Sequence, residues 1–217
     1  MEVSRVLSDF HGEGLVDPGE GRAVREESDD LMLVSAVLSY ARGILSQVPW
    51  VHWAMMGVVS LVLTVILLIR KKCSAYGAIA LGLTVFWGLF LVDTAVGIRF
   101  LGIMPHTFGH NLTLDFSRIC QKSGQGPVET LSNIAVFVPF GFFLGEFLAS
   151  TKRLDSWRRI GWVVLAAFCL SLSIEFLQLV LKVGFFEVMD LVLNTVGAFV
   201  GAGVSMVWRK VLRYDLI

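Results

Sequence analysis

The chain has 217 residues, 55% hydrophobic and only 17% charged, with 18 basic and 18 acidic side chains and a mean hydropathy of +0.73. Soluble domains carry about a quarter charged residues, so this composition excludes an ordinary soluble domain, and with no polybasic run nucleic acid is excluded as a partner. Cys73, Cys120 and Cys169 stand at unrelated spacings, give neither a disulfide framework nor a metal pattern, and read as small apolar filler.

Residues 1–30 hold nine acids against three arginines and include "HGEGLVDPGEG", the composition of a flexible, disordered tail. No basic region followed by an apolar one opens the chain, so no cleavable signal peptide is expected. Residues 31–47, "LMLVSAVLSYARGILSQ", run into Pro49 without a loop, which favours an interfacial amphipathic helix over the alternative of a sixth span. A bilayer core needs about 20 apolar residues per helix, and five stretches qualify: 49–69, 75–98, 128–148, 160–181 and 185–208. The fold class is therefore all-α, a polytopic transmembrane helical bundle of five spans with an N-terminal interfacial helix. The organisation is an acidic tail (1–30), the interfacial helix with two spans (31–98), a three-span domain (99–208) and a C-terminal tail (209–217).

Orientation follows from lysine and arginine near the helix ends. Arg70, Lys71, Lys72, Lys152, Arg153, Arg158, Arg159, Arg209, Lys210 and Arg213 gather on one side, against Arg42, Arg99, Arg118, Lys122 and Lys182 on the other. Ten against five puts the N-terminus outside and the C-terminus in the cytoplasm. With that orientation, Asp93, Asn133, Glu175, Gln178, Asp190 and Asn194 share the outer half of the membrane, and Glu146 alone lies near the cytoplasmic end, within reach of the basic loop.

Helical spacing groups these residues by face. Ser171, Glu175, Gln178 and Lys182 form one stripe, and Asn133, Phe137, Gly141 and Gly145 another. Asp190, Asn194, Gly197, Gly201 and Ser205 form a third. Gly197 and Gly201 make a GxxxG pair, which permits close helix approach. Only "KVGF" joins the last two spans, so they are antiparallel neighbours, expected to cross along that pair. Pro139 is expected to kink the third span. The amides of Asn133, Gln178 and Asn194 suit interhelical hydrogen bonding as well as a site, and Asp93 suits a pairing with Arg99. Glu175 and Asp190 suit a structural clasp, a proton relay or a general acid/base pair, and the residues themselves do not choose. His106 and His110 have i, i+4 spacing but lack a third ligand, so neither a metal nor another cofactor is expected. Residues 111–113, "NLT", make a formal glycosylation sequon.

In this order, "SNIAVFVPFGFFLG" (132–145), "SLSIEFLQ" (171–178) and "DLVLNTVGAFVG" (190–201) resemble the VanZ-like family, bacterial membrane proteins named for a teicoplanin-resistance accessory protein. The likeness covers roughly residues 100–208. After the glutamate helix the family commonly continues with a segment like "GR-x-FDIDD". Here Gly184 stands where arginine is common, Glu187 where aspartate is, and Met189 where a further aspartate is. Lys182 is the nearest cation that could replace the arginine. The family's "NLIPF" element is hinted at by Asn111 and Leu112.

The resemblance implies a bacterial cytoplasmic-membrane protein with a cell-envelope role in tolerance to glycopeptide or lipopeptide antibiotics. The expected partner is a membrane lipid, a lipid-linked envelope precursor or the drug, bound through Asn133, Glu175, Gln178, Glu187, Asp190 and Asn194 without catalysis. The alternative is an intramembrane enzyme acting on a lipid-linked substrate, with Glu175 and Asp190 as acid and base. A proton-coupled carrier is disfavoured, since five spans show no internal repeat.

Overall fold

The computed structural model describes residues 18–71, 73–103, 107–113, 125–151 and 154–214. Cys120, His106, the first part of the acidic tail, and Lys72, Arg118, Lys122, Lys152 and Arg153 lie outside the described residues. Among those described, six helices follow in order: α1 (Pro18–Gln47), α2 (Trp50–Ile69), α3 (Ala75–Phe100), α4 (Gln125–Thr151), α5 (Ser156–Leu181) and α6 (Val188–Tyr214). Two short strands, β1 (Gly109–Asn111) and β2 (Phe185–Glu187), pair in parallel.

Helices α2 to α6 are each long and apolar enough to cross a membrane, while the apolar part of α1, Leu31–Gln47, is shorter. The chain divides into two compact units, Met1–Ala36 and Val37–Ile217. The described part of the first is helical throughout, so α1 begins inside the segment expected to be a flexible tail. The second holds all five candidate spans.

Local chemistry explains the helix ends. Ser74 caps α3, its hydroxyl accepting from the Gly77 N–H at 3.1 Å, and Asp155 caps α5, accepting from the Arg158 N–H at 2.8 Å. Lys182 ends α5 in the left-handed conformation, with φ of 56°, and the Val183 N–H closes back on the Gln178 carbonyl at 3.1 Å. The chain then runs straight into β2, so the fifth span begins at Val188 rather than at 185. The strand forms because the segment after α3 lies alongside it, Gly109 opposite Phe185 and Asn111 opposite Glu187. An all-α expectation does not include this ribbon.

The tightest helix pair is α4 with α6. A Cβ at Gly197 would strike the Ile134 carbonyl, and one at Gly201 the Val138 carbonyl, both backbone atoms of α4. Gly141 returns the contact against the Ala198 carbonyl of α6. The glycine seam therefore joins the third and fifth spans, correcting the expectation that it joins the fourth and fifth. A GxxxG pair states how close a partner can come, not which helix it is. Helix α4 runs unbroken through Pro139. Pro139 cannot donate to the Ala135 carbonyl, and beside that gap the Trp87 indole N–H donates to the Val136 carbonyl at 2.7 Å.

At one end of the bundle, Glu146 is 2% exposed. Ser205 donates to its Oε1 at 2.6 Å, the Arg209 Nε donates to Oε2 at 3.0 Å, and the Tyr76 hydroxyl donates to the same carboxylate. Arg209 also donates to the Glu146 carbonyl at 3.0 Å and sits 5.6 Å from the Tyr76 ring centre. Among the described residues, the cationic partner of Glu146 is Arg209, from the last turns of α6. This network ties α3, α4 and α6 together.

Candidate functional site

Near the opposite ends of the same spans, α3 changes pitch. Residues Asp93–Gly97 form a π turn, an irregularity often found at functional sites. Asp93 faces α2, where His52 Nδ1 lies 2.9 Å from each carboxylate oxygen. The expected partner, Arg99, is not its partner. Two residues past Asp93, the Ala95 carbonyl accepts from Gln178 Nε2 at 3.1 Å, tying α5 to the π turn.

A cavity of about 600 Å³ opens beside this turn. Helix α3, including its π turn, lines it with Trp87, Phe90, Leu91, Thr94 and Arg99, and α4 with Glu129, Ser132, Asn133 and Phe137. Helix α5 adds Ile174, Glu175 and Gln178, while β2 and α6 add Phe185, Glu187, Asp190 and Asn194. Residues 37–45 of α1 cover the remaining side through Val37, Tyr40, Ala41, Ile44 and Leu45. All six residues singled out from the sequence thus border one space. Its lining combines apolar side chains, among them Ile44, Leu45, Trp87, Phe90 and Leu91, with Arg99 and four carboxylates.

The six are held differently. Glu175, 3% exposed, accepts the Glu187 backbone N–H at 2.9 Å through Oε2, so the strand after α5 folds back to fix its own helix's carboxylate. Asn133 Nδ2 donates to Asp190 Oδ1 at 2.7 Å, joining α4 to α6. Asn194 Nδ2 donates to Ser171 Oγ at 2.9 Å between α6 and α5. Asp190, Glu187 and Arg99 lie close enough to Glu175 to act on its charge.

Arg99 escapes a reading of the sequence as a site residue because it stands at a helix end, where it counts only as a charge. Lys182, the expected substitute for the motif arginine, is exposed at the α5 terminus and does not line the cavity. Arg99 reaches the cavity from α3 instead. Gly184 could not carry an arginine here without movement, because a Cβ would lie 2.9 Å from the Gln178 amide carbon. Glu129 escapes it too, although it stands four residues before Asn133 on the same face. Tyr40 completes the rim. Partial burial pushes its hydroxyl above its ordinary pKa, with Glu129 and Asp190 adding to the rise and Arg99 opposing it. Asn111 is occupied locally, its Oδ1 accepting from the Thr113 N–H at 3.1 Å and the Thr113 hydroxyl at 2.6 Å. No group of three metal-ligating side chains occurs among the described residues.

The helices that build this cavity coincide with a known family. The family model described as VanZ/LLP1 matches residues 78–209. The chain belongs to the VanZ-like family. The match starts within α3, earlier than the three sequence blocks reach, and takes in both the π turn and Arg99. Protein VanZ of Enterococcus faecium is 32% identical over 75 residues, which is 34% of this chain and 41% of that protein. The chain thus matches about two fifths of the length of this curated relative. No solved structure matches the chain. A VanZ-like protein with five helices able to span a bilayer is an integral membrane protein.

Proposed function

We propose that this VanZ-like membrane protein binds an amphipathic envelope molecule, a membrane lipid or lipid-linked precursor, in the cavity between residues 37–45 and α3 to α6. The observation that carries this reading is the cavity itself. Its volume falls in the range of small-molecule sites, and its lining combines apolar side chains with one cation and four acids. The excess of positive charge on the side away from it supports a cavity toward the outer leaflet and a cytoplasmic C-terminus. In that position a bound envelope molecule supports tolerance to glycopeptide or lipopeptide agents, the setting that the name of the family suggests.

Native mass spectrometry of the full chain, released gently from detergent, tests this. A bound amphiphile is expected on the parent protein and is expected to be lost from Ala41→Trp, which puts a large side chain into the lining. Expression in a sensitive host should raise tolerance for the parent and not for that variant. A parent protein that emerges bare, with both proteins giving equal tolerance, would falsify the binding reading.

Two carboxylates in one cavity, Glu175 positioned by a backbone N–H and Asp190 by an amide, also suit acid and base roles on a lipid-linked substrate. Turnover of such a substrate by the parent but not by Glu175→Gln, with binding retained in both, would favour the enzyme.

A further inference from the structure

We infer that the cavity takes a zwitterionic membrane lipid, its anionic group held by Arg99 and Ser132 and its amine held among Glu129, Glu175 and the side-chain Oε1 of Gln178. This rests on the amphiphile-binding reading above and adds the chemistry of the headgroup.

Three buried side-chain polar atoms without a hydrogen-bond partner among the described residues belong to residues lining this cavity: Arg99 Nε, Ser132 Oγ and Gln178 Oε1. Buried polar groups are almost always satisfied in native proteins, so such a concentration asks for a ligand. The three are of opposite kinds. Arg99 Nε can only donate, Gln178 Oε1 can only accept, and the Ser132 hydroxyl can do either. The Gln178 amide cannot be turned to relieve this. Its NH₂ is committed to the Ala95 carbonyl at 3.1 Å, which leaves Oε1 as the atom without a donor. Gln178 is 6% exposed, so the need is met inside the cavity.

Charge narrows the headgroup further. Arg99 is the one cation among the described residues lining the cavity, and Glu129, Glu175, Glu187 and Asp190 are its acids. A purely anionic headgroup would satisfy Arg99 but face those carboxylates. A purely cationic one would satisfy the carboxylates and Gln178 but leave Arg99 Nε without an acceptor. A headgroup with a phosphate or carboxylate beside a protonated amine meets both sets at once. The apolar lining residues Ile44, Leu45, Trp87, Phe90 and Leu91 suit the chains of such a lipid.

The test offers the full chain in detergent an equimolar mixture of dioleoyl phosphatidylethanolamine, dioleoyl phosphatidylglycerol and a dioleoyl trimethylammonium lipid, read by native mass spectrometry. The ethanolamine lipid should be retained about tenfold over each of the others, the scale of one charge-assisted hydrogen bond. Arg99→Gln should lower its retention to that of the cationic lipid, and Glu175→Gln to that of phosphatidylglycerol, with melting curves confirming that each variant folds. If Arg99→Gln fails to fold, Ser132→Ala, which removes only a hydroxyl, should still weaken the preference. Free phosphoethanolamine, which has no chains, should not displace the lipid; displacement would overturn the lipid as ligand. Equal retention of all three lipids would overturn the headgroup inference while leaving the amphiphile reading intact. Retention of none, with Ala41→Trp unchanged, would overturn both. A preference that survives in folded Arg99→Gln or in Ser132→Ala would also overturn it.

Discussion

Glu146 and Glu175 are both carboxylates buried among apolar helices, 2% and 3% exposed, and their surroundings differ in kind. Around Glu146 the donors are complete: a serine, a tyrosine and an arginine from α6 and α3 converge on it. The space lined there by Gly145 and Ser205 holds only about 10 Å³. Around Glu175 a single backbone N–H reaches one oxygen, and the space beyond is a cavity bordered by a cation and further acids. A buried carboxyl group closed by partners is a clasp between helices. A buried carboxyl group held on one side and open on the other is arranged to meet something else.

The largest expected effect breaks both regions together. Gly201→Leu drives a side chain into the α4 backbone at Val138, and folded, monodisperse protein in detergent should be lost. Normal yield and melting for this variant and for Gly197→Leu would refute the seam between α4 and α6.

Next comes the clasp. Arg209→Ala leaves Glu146 buried without its cation and should cost about 3–5 kcal/mol of stability, read as a fall in melting temperature. Ligand retention by the fraction that remains folded should not change. A variant that melts like the parent would mean that the network is dispensable.

Asn133→Ala sharpens the contrast from the other side. It removes one donor from Asp190, so a loss of about 1–3 kcal/mol is expected if that bond is structural. Glu175→Gln keeps shape and hydrogen-bonding capacity. It should melt close to the parent while its retention of the ethanolamine lipid falls about tenfold, the reverse of Arg209→Ala. Should Glu175→Gln lose stability and keep its ligand, the two carboxylates would be clasps alike. The smallest effect belongs to Lys182→Ala. Lys182 is exposed and lies off the cavity, so neither melting nor binding should move, whereas Arg99→Gln should lower retention of the ethanolamine lipid about tenfold.

Much of the fold was legible in the chain. Each of α2 to α6 follows from an apolar run, since a helix crossing hydrocarbon must satisfy its own backbone. The grouping of Asn133, Glu175, Gln178, Asp190 and Asn194 came from depth and helical period, two quantities that spacing alone supplies. Asn133 and Asp190 are 57 positions apart, yet depth brought them to one layer.

Other features were decided by tertiary structure. Helical period gives the face of a residue but not the helix it looks toward, so Gly197 and Gly201 could equally have met α5, and their partner α4 emerged only in the packed bundle. Asp93 meets His52 rather than Arg99 because the π turn and α2 bring an imidazole, 41 positions earlier, to its carboxylate. Arg99 and Glu129 join the site because the end of α3 and the start of α4 fall against the same cavity. The β1–β2 pairing that accompanies the Glu187 N–H bond to Glu175 depends on a non-local crossing that carries no period at all. Apolar length and helical period fixed which polar groups share a depth. Only the packing of the helices decided which of them close on each other and which remain facing open space.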